Sequence, residues 1–173
     1  MKKENILVTV LILVAVAGVL AYHFSKAPEQ GISTAGSLKS DPASKSGSGI
    51  SWQGYEDGLA KAKVEDKNVF LYFHAQWCTY CTKLKKYTFT DKKVQAIMDQ
   101  YFVSISVDTD QNQALATEWE VRGLPTMWFL KPDGSRISSL PGYVDADQMV
   151  RILDYIQSKS YDTMSFHEFV QKS

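Results

Sequence analysis

The sequence predicts an α/β domain carried behind an N-terminal transmembrane helix. Strand-like and helix-like segments alternate from Ile50 to about Ser158, and a lone Cys-x-x-Cys falls where the first core strand gives way to a helix. An apolar run from Ile6 to Phe24 follows two lysines. At 173 residues, 45% of them hydrophobic, the chain can build one ordinary core plus accessories. Its 19 basic residues are balanced by 19 acidic ones, so no basic field is available to hold nucleic acid.

The Ile6 to Phe24 run, broken by Thr9 and His23, approaches the ~20 residues a helix needs to cross a bilayer. Lys2 and Lys3 are expected to stay cytoplasmic, which places everything after Phe24 on the far side. A cleaved signal peptide is the competing reading. The run is longer than a signal core of about 7 to 15 residues, and Ser25-Lys26-Ala27 is followed by Pro28, so residues 1–24 are read as a retained anchor. Residues 25–49 turn to Ser, Gly, Ala, Pro and scattered lysine, a flexible tether that cannot bury a core.

Residues 50–158 form the expected globular domain. Trp52, Tyr55, Leu59, Ala60 and Val64 sit at helical spacing between Ile50 and Lys67. Asn68 to His74 reads as a buried strand. After the cysteines a helix runs to about Tyr87, and Thr90 can cap a second helix whose apolar face is Val94, Ile97 and Met98. Tyr101 to Val107 is a core strand; Ala114, Leu115, Trp119 and Val121 continue as a helix. A proline opening the Thr126 to Leu130 strand needs a special geometry, which a cis Leu124-Pro125 bond would provide. Lys131-Pro132-Asp133-Gly134 is a tight turn before Ser135 to Leu140. Asp145 to Ser158 closes the domain with Met149, Val150, Ile152, Leu153 and Ile156 inward. In residues 159–173, Ser165-Phe166-His167-Glu168 has capping-box spacing for a short helix presenting Phe166, Phe169 and Val170, either as a clasp on the domain or as a docking arm.

The chemistry concentrates at Cys78 and Cys81. A Cys-x-x-Cys at a strand-to-helix junction puts the first sulfur where unpaired helix amides point outward, a location that favours an anion. A thiolate there can have its pKa lowered from ~8.5 into the range of about 3.5 to 7.5, making Cys78 the nucleophile and Cys81, one turn on, the resolving thiol. Three plainer readings compete. Zinc wants four ligands, and the other soft candidates are His23, His74 and His167, scattered along the chain. An inert structural bridge over so short a loop would stabilise weakly. Copper carriage would prefer more thiolates or a nearby methionine, and Met98, Met127, Met149 and Met164 are distant in sequence. No metal and no cofactor beyond the cysteine pair is therefore expected. Trp119 and Trp128 read as core, whereas Trp77, beside Cys78, reads as part of the exposed rim.

Trp77-Cys78-x-x-Cys81, then Gly123-Leu124-Pro125-Thr126 and the Lys-x-Asp-Gly turn, resemble the thioredoxin fold. Within it, Lys86 to Gln95 resembles the stretch after the active site in the periplasmic C-terminal domain of the disulfide-interchange reductase DsbD and its single-domain relatives. The resemblance covers about Ile50 to Gln157. It implies a central mixed sheet flanked by helices, Cys78 attacking, Cys81 resolving, and a cis proline at Pro125 beside them. It also implies that the Leu124 backbone pairs with an extended substrate, with Trp77, Thr79 and Tyr80 bordering the same groove. Two departures stand out: Tyr72 replaces a buried aspartate, and Lys85 replaces an acidic residue. Both should favour the Cys78 thiolate. The expected function is reduction of disulfides in periplasmic or other extracytoplasmic client proteins. One apolar segment cannot supply the DsbD electron-transfer domain, so a separate membrane electron donor is implied. The alternatives are a thiol oxidase or isomerase, or a redox-inert adaptor holding a partner between Trp77 and Pro125.

Overall fold

The computed structural model describes residues 49–172. The expected anchor, and the tether up to Ser48, lie outside them. Among the described residues no helix is long and apolar enough to cross a membrane.

Five strands, β1 (Trp52–Gln53), β2 (Asn68–His74), β3 (Phe102–Asp108), β4 (Thr126–Leu130) and β5 (Arg136–Pro141), form one sheet in the order β1-β3-β2-β4-β5. β2 is central, parallel to β3 and antiparallel to β4. Alternate residues of β2 enter two cores: Val69, Leu71 and Phe73 meet Ala62, Ile105 and Trp119 on one face, while Phe70 and Tyr72 meet Cys81, Leu84, Phe89 and Met149 on the other. Burial on both faces explains why this strand reads as a continuous apolar run.

The helices are α1 (Tyr55–Glu65), α2 (Thr79–Lys83), α3 (Lys92–Tyr101), α4 (Gln113–Glu118), α5 (Ala146–Gln157) and α6 (Phe166–Lys172). α1 approaches β3 so closely that a Cβ on Gly58 would lie 2.4 Å from Ile105 Cγ1. Glycine at position 58 therefore permits that packing.

Several expectations need correction. Trp52 belongs to a two-residue strand paired with Ser104, not to a helix; its ring lies 5.3 Å from Phe89 and 5.7 Å from Tyr72, and that aromatic burial outweighs helical spacing. The helix after Cys78 continues past α2 as a π turn over Leu84–Thr88, closed by Phe89 N–H donating to Leu84 O at 3.0 Å. The wider turn buries Leu84, Thr88 and Phe89 together and leaves Tyr87 exposed. Asp91, not Thr90, caps α3: its carboxylate accepts from Lys93 N at 2.9 Å and Val94 N at 3.1 Å, the stronger partner for the positive helix end. Thr90 instead donates to Lys86 O. Val121 lies beyond α4, because Glu120 adopts a left-handed φ of 53°. Val150 and Trp128, though half-buried, pack against the two cores as expected. The Arg136 guanidinium covers Trp128 and Trp119, 4.9 and 4.4 Å from their ring centroids.

At the C-terminus the capping box forms, with Glu168 Oε2 accepting from Ser165 N at 2.9 Å and Glu168 N donating to Ser165 Oγ at 3.3 Å. Phe166 and Phe169 each lie 5.4 Å from the Tyr155 ring, and Tyr155 Oη donates to Met164 O at 2.7 Å. These contacts have the form of a clasp.

Candidate active site

β2 ends at His74, and Ala75 to Trp77 turn the chain into α2 with Cys78 as its N-cap. Cys78 and Cys81 are joined in a disulfide with Cα atoms 5.2 Å apart. Cys81 N–H donates to Cys78 Sγ at 3.0 Å, so an otherwise unpaired helix amide points at the first sulfur. Cys78 is 5% exposed and Cys81 1%. Both cysteines belong to the core cluster that contains Tyr72 and Leu84.

Around this pair the rim is open. Trp77 is 70% and Tyr80 60% exposed, and Thr79 is exposed between them. Trp77 Nε1 donates to the Asp110 carboxylate at 3.0 Å, which orients the indole. The register places Thr126 opposite Phe73, so Leu124 and Pro125 leave β4 at the end of the sheet where β2 leads into the cysteines. Pro125 is buried, Leu124 half-buried, and the bond between them is cis. Pro125 O accepts from Gly142 N at 2.8 Å, and Thr126 Oγ1 donates to Gly123 O at 2.7 Å, pinning the loop from both sides. The structure thus brings Cys78 and Cys81 together and sets the Leu124-Pro125 turn at the same end of the sheet.

At the end of β2 lies a cluster that local sequence reading missed. His74 Nε2 is 2.8 Å from Ser106 Oγ on β3, and its ring stacks on Tyr72. Burial, then the Lys85 charge, push the His74 pKa down to about 4, with Asp108 pulling the other way, so the imidazole is neutral at pH 7. Burial also pushes the Tyr72 phenol up and the Lys85 amine down, the latter opposed by Asp108. Tyr72 Oη and His74 Nδ1 are buried and have no hydrogen-bond partner among the described residues. The available signal was the i, i+2 placement of Tyr72 and His74, which puts both on one face of a strand. No group of three or more metal-ligating side chains occurs among the described residues.

The thioredoxin-like domain family matches residues 55–157. The chain belongs to the thioredoxin-like family. With the Cys78–Cys81 disulfide it is a thiol-disulfide oxidoreductase of that family. Among curated relatives, the thiol:disulfide interchange protein DsbD of Neisseria meningitidis is 36% identical over 88 residues, 49% of this chain and 15% of that protein. The chain therefore spans about one-sixth of the length of such relatives. Among solved structures, a thioredoxin from Thermus thermophilus superposes with a TM-score of 0.60 at 28% identity, covering 64% of this chain and 89% of that one. The reduced C-terminal domain of Neisseria meningitidis DsbD gives 0.51 at 30% identity, with coverages of 57% and 90%. The thioredoxin-like sheet, mixed and flanked by helices, is the one described above.

Proposed function

We propose that this protein is a membrane-anchored extracytoplasmic reductase that passes electrons to oxidised client proteins. Residues 1–24 would anchor it, 25–49 tether it, 50–158 carry the chemistry and 159–173 clasp the domain. Cys78 is the attacking thiol and Cys81 the resolving thiol. Trp77, Thr79, Tyr80, Leu124 and Pro125 border the client groove. The observation that carries the reading is the Cys81 amide donated to Cys78 Sγ at 3.0 Å, because the same donor would stabilise a thiolate there once the bridge opens.

The Cys78 thiolate attacks one sulfur of a client disulfide, and the other client sulfur leaves as a thiolate. Cys81, deprotonated, then attacks Cys78 Sγ in the mixed disulfide and expels the second client thiolate. Two electrons pass to the client and the Cys78–Cys81 bridge closes. A dithiol donor must reopen it, and a separate membrane protein is the expected source. Reduction is favoured over oxidation because Thr79 and Tyr80 place no histidine between the cysteines, and solvated lysines stabilise a thiolate weakly. The similarity to DsbD supports the same direction.

Two measurements test this. Cys81→Ser in intact cells should accumulate mixed disulfides with extracytoplasmic clients, and equilibration with glutathione should give a potential nearer ~ −270 mV than ~ −120 mV. The strongly oxidising value would reverse the assigned direction. Equal client binding with both cysteines replaced would make the protein an adaptor.

A further inference from the structure

The helix that begins at Cys78 has one face turned inward and one exposed. Cys81, Leu84 and Thr88 are buried, while Tyr80, Lys83, Lys86 and Tyr87 are exposed. Tyr80 and Lys83 are neighbours at i, i+3 on α2, and Lys86 and Tyr87 continue the exposed surface on the π turn over Leu84–Thr88. Lys83 Nζ sits 4.3 Å from the centroid of the Tyr143 ring, and Lys86 Nζ 5.2 Å from that of Tyr87. Tyr143 follows Gly142, whose amide donates to Pro125 O, and Thr88 Oγ1 donates to Val144 O at 2.6 Å. This surface is thereby fixed to the loop that flanks the Leu124-Pro125 turn.

The exposed charges on this helix are basic, and the nearest carboxylates along the chain, Asp91 and Asp145, flank its far end. No carboxylate occurs from Lys67 to Thr90, from Val121 to Pro132, or from Ser135 to Val144, the stretches that carry the disulfide, the cis proline and Tyr143. Lys92 and Lys93 extend the field at the start of α3, where the carboxylate of Asp91 is engaged by the helix amides. Among the described residues the salt bridges involve Lys61 and Lys67 on the other side of the sequence motif, so Lys83, Lys86, Lys92 and Lys93 have no ionic partner there. Carboxylates also stand on the β3 side of the site, where Asp110 holds Trp77 and Asp108 pairs in register with His74. A chain whose charges sum to zero thus presents a basic and aromatic face along its reactive helix.

We propose that this face docks a redox partner protein whose surface beside its own reactive disulfide is acidic. The inference rests on the exchange reading above and adds to it the kind of partner. Lys83 and Lys86 act on encounter: unpaired charges on an exposed rim raise association rates and lose that effect as salt screens them. The aromatic rings beside them supply contact area once the partner has arrived.

The test uses the reduced protein and three synthetic peptides, each with one internal disulfide flanked by glutamates, glutamines or lysines. Second-order exchange rates are measured at about 20 mM and about 500 mM salt, with neutral hydroxyethyl disulfide as the control. The expected result is a rate for the acidic peptide about tenfold above that for the basic one at low salt, converging at high salt. K83Q/K86Q should abolish the difference while leaving hydroxyethyl disulfide reduction unchanged. Equal rates for the three peptides at low salt, or a preference that survives K83Q/K86Q, overturns the docking surface. Failure to reduce hydroxyethyl disulfide as well would overturn the exchange reading itself, and this inference with it.

Discussion

The Tyr72 ring is stacked on the His74 imidazole, with centroids 5.0 Å apart and planes 25° apart. Tyr72 shares a core cluster with Cys78 and Cys81, and it stands where related domains are expected to carry an aspartate. The pair is therefore aromatic and neutral at pH 7 rather than anionic, and the first two predictions concern it.

His74 has a folded-state pKa near 4, depressed by burial first and by Lys85 second, against an ordinary value of 6.5. Between those two values the unfolded chain binds a proton that the native state does not. Stability from this group is thus fully present above about pH 6.5 and is lost as pH falls toward 4, by on the order of 2 to 3 kcal/mol. His74→Gln should flatten that segment of a urea-denaturation profile measured from pH 7 to pH 4. A wild-type and a variant profile of equal slope would exclude the effect.

Tyr72→Phe removes a buried hydroxyl that has no partner among the described residues. Leaving such a group unpaired costs roughly 1 to 3 kcal/mol, so its deletion should be neutral or raise stability by about 1 kcal/mol. A loss of more than about 1 kcal/mol in the midpoint analysis would mean that the hydroxyl is satisfied in solution.

Cys78 should react first with an alkylating agent in the reduced protein, with a thiol pKa below ~8.5, and Cys81 should be protected. The margin in accessibility is small, 5% against 1% exposed, so ionisation rather than exposure is expected to decide the order. Mass mapping of singly alkylated protein across pH checks this. Modification of Cys81 first would exchange the assigned roles.

Gly58→Ala tests the packing of α1 on the sheet. Helix propensity alone would gain about 0.5 to 1 kcal/mol. A Cβ placed 2.4 Å from Ile105 Cγ1 and 2.6 Å from Cδ1 must displace a fully buried side chain, an overpacking cost of about 1 to 3 kcal/mol. The variant should be net destabilised, and adding Ile105→Val should recover part of the loss. A more stable Gly58→Ala would contradict the close approach.

At the other end of the domain, Tyr155→Phe deletes the hydrogen bond to Met164 O and should cost about 1 kcal/mol. Truncation after Ser160 should cost more, because Tyr155 would also lose Phe166 and Phe169. Unchanged thermal stability with impaired electron transfer would make the segment a docking arm instead.

What could be read from the sequence was whatever repeats over several residues. β2 was legible from its apolar run, α5 from its period, and the Lys131 to Gly134 turn from its residue types; Gly134 N donates to Lys131 O there at 2.9 Å. β1 was not, because two residues have no period and Trp52 is held by rings distant in sequence. The π turn depends on a single amide reaching one residue further than usual, and spacing does not encode that. At the site the cysteines were legible because their chemistry sits in one short motif. His74 was weighed only as a stray metal ligand, since its partner Ser106 lies 32 residues away and comes alongside only through parallel strand pairing.

The two borders of the sheet bear on how long a client would stay. β1 offers two residues at one border, and β5 at the other pairs across a bulge near Leu130 and ends in Pro141, which lacks an amide proton. Short, irregular and proline-terminated borders are poor templates for an incoming extended chain. A half-folded client would thus find little backbone to zip onto outside the groove at Leu124, and its departure would be timed by the cleavage of the mixed disulfide rather than by the peeling away of an added strand.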